Sequence, residues 1–330
     1  MKILVSGASG LIGQALIPFL TAGGHTVTRM VRSPSKLKGG DVLWRPGEGR
    51  IDTEKLEGFD AVIHLAGESV AQIWTPEAKR RILESRSHAT ELLCRALAKL
   101  KNPPKVMLCA SAVGYFGSRP GEVLTEASSP GLGFLANVVR SWEQATLPAT
   151  IAGIRVVNLR FGLVLSPRGG AFKSMLLPFK LGLGGKFGNG RQHFPWVSID
   201  DVVGATYFAL MNDKLSGPIN VTAPNPVTNK VFTKTMGRVL MRPTLFCVPG
   251  PLFLALPGGM GTEMFLSDQN VLPARLTEAG YVFKHTQLAD AVRHVLRSRG
   301  KVEFTGQPVI PVPAAMIAAT VPTAAASATA

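Results

Sequence analysis

The sequence predicts an α/β protein with a doubly wound parallel sheet and a smaller C-terminal substrate-binding region. A short β-branched run at 2–6 leads through a glycine-rich turn into an apolar run with helical spacing. The run DAVIHLAG at 60–67 has the continuous hydrophobicity of a strand buried on both faces. Strands and helices then alternate over the first 165 residues, which is the pattern of a parallel sheet.

Each further element is predicted from the spacing of apolar residues, and its ends from glycines and prolines that interrupt that spacing. Apolar residues recur at helical spacing from Leu11 to Leu20, and Gly23 and Gly24 end that helix. The apolar stretch 245–260 contains three prolines and a glycine pair, and predicts a loop with a short buried helix. The remaining predictions are strands at 25–32, 60–67, 105–111 and 153–162, helices at 76–100 and 134–149, and a strand followed by a helix at 196–210.

The chain divides into three parts. Residues 1–165 form the predicted dinucleotide-binding core, and residues 166–299 form the substrate-binding region, from which a strand and helices return to the core. Residues 300–330 are rich in Ala, Pro and Thr. No helical or strand period is found in 308–330, so we expect a flexible tail there.

Composition limits the classes of partner. Lys and Arg number 36 against 21 Asp and Glu, and the resulting net charge of +15 favours anionic partners such as nucleotides, acidic metabolites, nucleic acid or lipid head groups. Aromatic residues are few and do not alternate with arginines, so no nucleic-acid surface is predicted. The three cysteines have neither disulfide-framework nor zinc-site spacing, and no metal site is predicted.

The beginning of the chain bears on localisation. The first predicted strand starts at Lys2, which leaves no room for a signal peptide, and no stretch is long and apolar enough to span a membrane. We therefore expect a cytoplasmic protein without a membrane partner, a monomer or a homodimer. Mitochondria or plastids are the alternative if a leader segment is missing from this chain.

The glycine-rich turn carries the cofactor prediction. Gly7 permits a tight turn, Gly10 lets the backbone approach a pyrophosphate, and Gly13 lets the helix pack on the strand. A glycine turn between a strand and a helix is the required context for a Rossmann dinucleotide site. Further cofactor contacts are predicted at Ser9, Leu11, Ile12, Leu65, Ala66 and Gly67.

The residues after the second strand favour NADP(H) over NAD(H). NAD-binding folds of this kind place an acidic residue there to hold the ribose 2′-hydroxyl. This chain has Arg29, Arg32, Ser33 and Lys36 instead. A guanidinium can bind a 2′-phosphate, which a carboxylate would repel, so we assign Arg32, Ser33 and Lys36 to that phosphate.

Several segments together resemble the extended short-chain dehydrogenases/reductases. These are the glycine turn, FDAVIHLAG at 59–67, CASAVGYFG at 109–117 and FPWVSIDDV at 194–202. SAVGYFG, SWEQAT and LLPFKLGLGGKFGNGRQHFPW are similar to the atypical subgroup called epimerase family proteins. The resemblance extends over residues 1–299 and implies a Rossmann fold with a nicotinamide cofactor.

The resemblance also implies where catalysis would occur. In the wider family the Tyr of a Tyr-x-x-x-Lys pair transfers the proton, the Lys lowers the pKa of that Tyr and holds the nicotinamide ribose, and a Ser or Thr at the end of the preceding strand polarises the substrate oxygen. Here Phe134 and Val138 take the positions of the pair, and Phe134 has no proton to transfer and Val138 no charge. Ser111, with Ala112 as an alternative register, and Tyr115 remain as catalytic candidates.

The segment after residue 165 carries the substrate prediction. Lys173, Lys186, Arg191 and His193 lie among glycines and aromatic residues, which predicts a pocket for an acidic or aromatic small molecule. Three functions follow, in order of preference. They are an NADP-dependent oxidoreductase of a small carbonyl or hydroxyl compound, a dinucleotide-binding redox sensor without turnover, and a nucleotide-sugar epimerase.

Overall fold

The computed structural model describes residues 1–302, and the predicted tail 308–330 lies outside the described residues. An eight-stranded sheet forms its centre. Its strands are β1 Lys2–Ser6, β2 Thr26–Val31, β3 Val42–Arg45, β4 Arg50–Ile51, β5 Ala61–His64, β6 Val106–Ala112, β8 Arg155–Phe161 and β13 Gly217–Val221. The spatial order is β13-β8-β6-β5-β1-β2-β3-β4, and adjacent strands are parallel except for β3 and β4.

Helices cover the central sheet, as the doubly wound prediction requires. The helices are α1 Leu11–Ala22, α2 Pro76–Glu84, α3 Ser87–Leu97, α4 Phe134–Gln144, α5 Leu147–Ile151, α6 Gly170–Lys180, α7 Ile199–Met211, α8 Asn229–Leu240, α9 Gly250–Leu254, α10 Ala274–Glu278 and α11 Leu288–Arg297. α1 packs on α7, whereas α3 packs on α4 and α5. The predicted fold class is confirmed.

Four two-stranded ladders shape the region beyond the core. They pair β9 Leu163–Leu165 with β12 Trp196–Ser198, β10 Gly185–Phe187 with β15 Phe246–Val248, β11 His193–Phe194 with β14 Val227–Thr228, and β7 Val123–Leu124 with β16 Asn270–Val271. From the same region β13 joins the central sheet beside β8, with Asn220 opposite Arg160. The C-terminal region is thereby built onto the edge of the core.

Two predicted helices are each divided in the structure. The helix predicted at 76–100 breaks between α2 and α3, where the side chains of Ser85 and Arg86 both donate to the carbonyl of Ile82. These bonds compete with the helical ladder and so interrupt it. The helix predicted at 134–149 ends at Gln144, and α5 begins with Pro148 in its first turn, where proline has no amide to continue the preceding helix.

The stretch 245–260 also differs from its prediction. It contains β15, α9 and a 3₁₀ turn at Pro257–Gly259, and the short helix is not buried. Phe253 is covered, but Leu252 and Leu254 are more than 60% exposed. A five-residue helix cannot bury all its apolar side chains, because they point around its whole circumference. Within residues 1–302, no helix has the length and apolarity that crossing a bilayer requires.

Candidate functional site

The glycine turn between β1 and α1 is shaped by three close backbone contacts. Gly7 has φ +68°, and a Cβ there would lie 2.6 Å from the carbonyl carbon of Leu65. A Cβ on Gly13 would lie 2.5 Å from the carbonyl oxygen of Gly7. Only glycine fits these two positions, because real Cβ atoms do not approach backbone so closely. At Gly10 a Cβ would meet only the carbonyl of Gly7, at 3.2 Å, which leaves this side of the turn accessible to a ligand.

The beginning of α1 is suited to an anion. Gly10 is its N-cap, no side chain caps it, and its first turn contains no acidic residue. A helix N-terminus in this state offers backbone N–H groups and a positive dipole end to a phosphate. A cavity of about 310 Å³, the turn cavity, is lined by Gly7, Gly10, Leu11, Ile12, Gly13, Leu65, Ala110, Gly162, Leu163, Val164, Gly170 and Ala171.

A buried hydrogen-bond network holds the β5 end of the turn cavity. Ser6 Oγ accepts the amides of Leu65 and Ala66, at 3.1 and 3.3 Å, and lies 2.7 Å from Nδ1 of His64. The Ser6 hydroxyl therefore donates to Nδ1, and Nε2–H of His64 donates to Thr90 Oγ1 at 3.1 Å. Burial lowers the pKa of His64 to about 4, so the ring is neutral at pH 7 and its role is structural.

The predicted 2′-phosphate residues follow β2. Since β1 and β2 are parallel neighbours with Ser6 opposite Met30, Arg32 lies at the same sheet edge as the glycine turn. In the described chain, neither the Arg32 nor the Lys36 side chain has a hydrogen-bond or ion-pair partner. Arg29 differs, because its guanidinium pairs with Asp41. Of the three predicted cations Arg29, Arg32 and Lys36, the last two are thus left for an external anion.

A second cavity, the apolar cavity, adjoins the turn cavity and has a volume of about 610 Å³. The two cavities share Leu163 and Ala171 in their linings. Most of the apolar cavity's wall is aromatic or aliphatic, including Met175, Phe179, Phe187, Phe194, Met264 and Phe265. Its lining contains no lysine or arginine among the described residues. A groove of about 810 Å³ beside β3, β4 and α3 is larger, but it shares no lining residue with the turn cavity.

Few polar side chains face the apolar cavity, and His193 is one of them. Its Nδ1 lies 2.9 Å from Oδ1 of Asp268. Glu263 also lines the cavity, but its two oxygens accept the amides of Phe134 and Leu135 at the start of α4, both at 2.8 Å. Asp268 and Glu263 were not among the residues predicted from the sequence. The polar run SDQN at 267–270, which follows an apolar segment, was the available signal.

Ser111 and Tyr115 lie close to each other but outside the linings of both cavities. Neighbouring strand residues point to opposite faces, so Ala110 faces the turn cavity and Ser111 faces α4. There the Ser111 hydroxyl donates to Glu143, which forms a bidentate pair with Arg160. The guanidinium of Arg160 in turn lies 3.5 Å from the centroid of the Tyr115 ring.

Phe134 and Val138 form part of a small hydrophobic cluster. The Phe134 ring meets Trp74 edge-on with centroids 5.0 Å apart, and Val138 is buried in the same cluster with Ile82. These two α4 positions therefore serve packing, and neither side chain has a proton or a charge to contribute.

Of the four predicted substrate residues, only His193 lines the apolar cavity. Lys173 and Arg191 are exposed, and Lys186 is half-buried on β10. The structure does not bring these three cations together at the cavity, whose wall is apolar where the sequence predicted a basic pocket.

The chain is similar to proteins of one family. The family model "NAD dependent epimerase/dehydratase family" matches residues 3–222, and a domain of unknown function, DUF1731, matches 248–295. An epimerase family protein of Mycobacterium bovis is 40% identical over 300 residues, which cover 90% of this chain and 98% of the relative.

Two solved structures extend the comparison. Human epimerase family protein SDR39U1, crystallised with NADPH, superposes with a TM-score of 0.82 at 34% identity and covers 90% of this chain and 99% of the human one. A nucleoside-diphosphate sugar epimerase of Corynebacterium glutamicum gives 0.75 at 36% identity, over 90% of this chain and 58% of the other. With its family model matched over two thirds of its length, the chain belongs to the NAD dependent epimerase/dehydratase family.

Proposed function

We propose that this protein is an NADP(H)-dependent oxidoreductase that acts on a small, apolar carbonyl or hydroxyl compound. The observation that carries the proposal is the contact between the two cavities at Leu163 and Ala171. One cavity has the backbone form that a dinucleotide needs, and the other has the size and apolar wall of a small-molecule pocket.

The turn cavity fits NADP(H). The uncapped start of α1 and the accessible side of Gly10 suit the pyrophosphate, and Arg32 and Lys36 are unpaired cations at the sheet edge where the 2′-phosphate would lie. The human relative crystallised with NADPH agrees with this assignment. When bound, the cofactor supplies or accepts a hydride.

The apolar cavity favours a flat, uncharged substrate. Its wall includes phenylalanine and methionine side chains. An apolar substrate that covers them would be stabilised by roughly 25 cal/mol for each Å² of apolar surface removed from water. A nucleoside-diphosphate sugar would need cations for its diphosphate, and the lining of this cavity contributes none among the described residues. The wall therefore supports the oxidoreductase over the epimerase.

The experiment measures NADPH oxidation with benzaldehyde, cinnamaldehyde and acetophenone, and includes glyceraldehyde and UDP-glucose as polar comparisons. We expect turnover with the aromatic carbonyl compounds. Met175→Trp, which fills the cavity, should lower turnover at least tenfold and leave NADPH binding unchanged. Leu177→Trp is the matched control, because it lies on the same helix, is 63% exposed and does not line the cavity.

Two outcomes would overturn the proposal. NADPH binding without oxidation by any aromatic carbonyl would favour the redox sensor. The structural argument for a sensor is that Phe134 and Val138, which pack in a hydrophobic cluster, stand where the family has its Tyr and Lys. Conversion of UDP-glucose to an epimer, without net oxidation of cofactor, would favour the epimerase.

A further inference from the structure

We propose that His193 is the catalytic acid–base residue of this site and that Asp268 positions it. This inference rests on the proposed function, since it names the proton donor that the reaction needs in place of the family's Tyr-x-x-x-Lys pair. It starts from one carboxylate oxygen: Oδ1 of Asp268 accepts both the backbone N–H of His193, at 2.8 Å, and the ring Nδ1–H, at 2.9 Å.

Asp268 is itself held in place by the loop before β7. Its amide donates to Oγ of Ser118 at 3.1 Å, and its carbonyl accepts the amide of Arg119 at 2.9 Å. On the other side, Gln192 is buried and donates to the carbonyls of Phe187 and Phe265, which anchors the strand before His193. The imidazole and its carboxylate are thus fixed from both ends.

This pairing determines the tautomer and the free edge of the ring. Because Nδ1–H is committed to Asp268, the neutral ring has its lone pair on Nε2. Within residues 1–302, Nε2 has no hydrogen-bond partner, and the ring lines the apolar cavity with 30% of its side chain exposed. Nε2 can therefore contact a substrate oxygen and exchange its proton with solvent.

The other acids near the cavity are already occupied. Glu263, the second titratable residue in its described lining, uses both oxygens to cap α4. The hydroxyl of Ser111 is bound to Glu143 on the other face of the sheet. His285 has a comparable partner in Asp201, with 3.6 Å between Nδ1 and Oδ2, but it does not line the cavity. Of the two titratable side chains in the described lining, His193 is thus the one with a free edge at the cavity.

Carbonyl reduction adds a hydride to the carbonyl carbon and a proton to the carbonyl oxygen. A hydride from NADPH forms the new C–H bond at the carbonyl carbon, and the π electron pair moves to the oxygen. That oxygen takes the proton from Nε2 of protonated His193, so the product is an alcohol and the cofactor becomes NADP⁺. His193 is left neutral with Nδ1–H still on Asp268, and it regains a proton from solvent.

The test compares His193→Gln and Asp268→Asn with wild type, using NADPH and cinnamaldehyde. We expect His193→Gln to lower kcat by roughly 100- to 10,000-fold, the usual effect of losing a general acid, with NADPH affinity unchanged. Asp268→Asn should lower kcat while KM stays within about twofold, because it removes the charge that orients the ring and leaves the cavity wall intact. His285→Gln is the matched control and should retain wild-type kcat.

Two readouts separate a chemical from a structural role. The pH profile of reduction should differ between wild type and His193→Gln, because the variant lacks the imidazole that exchanges a proton at Nε2; Asp268 is the carboxylate beside the ring, and Glu263 also lines the cavity. In ¹⁵N NMR of the NADP⁺ complex, which cannot turn over, cinnamaldehyde should move the Nε2 resonance of His193.

The outcomes distinguish the two proposals. If wild type reduces cinnamaldehyde but His193→Gln, folded by its melting temperature, retains full kcat, or if the Nε2 resonance does not move, the inference is overturned and the oxidoreductase stands. If wild type reduces no carbonyl compound, both proposals are overturned together.

Discussion

The hydroxyl of Ser111 donates a hydrogen bond of 2.6 Å to Oε1 of Glu143, on the face of β6 opposite the turn cavity. Glu143 also receives two hydrogen bonds of 2.7 Å from the guanidinium of Arg160, which is 2% exposed. This network ties β6, β8 and α4 together. A serine that the sequence suggested for chemistry is thereby part of the packing between sheet and helix.

Ser111→Ala should therefore affect stability more than chemistry. We expect turnover to stay within about threefold of wild type and the free energy of unfolding to fall by roughly 1.5–3 kcal/mol, the typical contribution of a hydrogen bond to a charged group. Steady-state kinetics and urea denaturation of the same preparations measure both. A tenfold loss of kcat with unchanged stability would instead place Ser111 in the reaction.

Glu143→Ala should destabilise the protein strongly. It leaves the buried Arg160 guanidinium without its partner, and breaking a buried pair from one side costs about 3–5 kcal/mol. Glu91→Ala is the control, since Glu91 and Arg95 form an exposed pair at 2.6 Å on α3 whose loss should cost less than about 1 kcal/mol. Urea denaturation midpoints compare the two variants, and equal midpoints would contradict the expectation.

Arg32→Ala should remove the preference for NADPH. In wild type we expect NADPH to bind at least tenfold more tightly than NADH, about 1.4 kcal/mol, because Arg32 pairs with the 2′-phosphate. Calorimetric titration with both cofactors gives the ratio. Arg50→Ala removes an exposed arginine from β4, which does not adjoin the turn cavity, and should keep the preference. If Arg32→Ala also keeps it, the assignment of Arg32 is wrong.

His64→Gln should flatten the acid side of the stability profile. The pKa of buried His64 is about 4, against 6.5 for an ordinary imidazole, so between these values the unfolded chain takes up a proton that the folded chain does not. Stability therefore falls as pH decreases from about 6.5 to about 4, and this residue accounts for about 3 kcal/mol. Urea denaturation across that range should show a smaller loss for His64→Gln than for wild type.

His88→Gln provides the reference for this measurement. His88 is exposed on α3, so its replacement should leave the pH dependence of stability as in wild type. Equal profiles for His64→Gln and wild type would show that His64 does not contribute to acid unfolding.

Local sequence was sufficient where the physics is local. The glycine turn could be predicted because its glycine spacing lies between a strand period and a helix period, and Gly13 meets the backbone of Gly7 and Ala8 in the same turn. The contact of Gly7 with Leu65 at the end of β5 is visible only in the structure. The breaks after Glu84 and Gln144 were missed because the apolar period continues through both. At the first break, the side chains of Ser85 and Arg86 donate hydrogen bonds to the carbonyl of Ile82. At the second, Pro148 has no backbone N–H with which to continue the helix.

The doubly wound core, the glycine turn and the absence of a Tyr and Lys pair on α4 could be predicted from the sequence, because periodicity, glycine spacing and side-chain chemistry are properties of single segments. Which side chains face the cavities depends on how distant segments pack together. Strand alternation turns Ser111 towards Glu143, and the fold brings Asp268 to His193 from 75 residues away. No period in the chain encodes such a contact, since it depends on how the loops before β7 and β16 pack against β11.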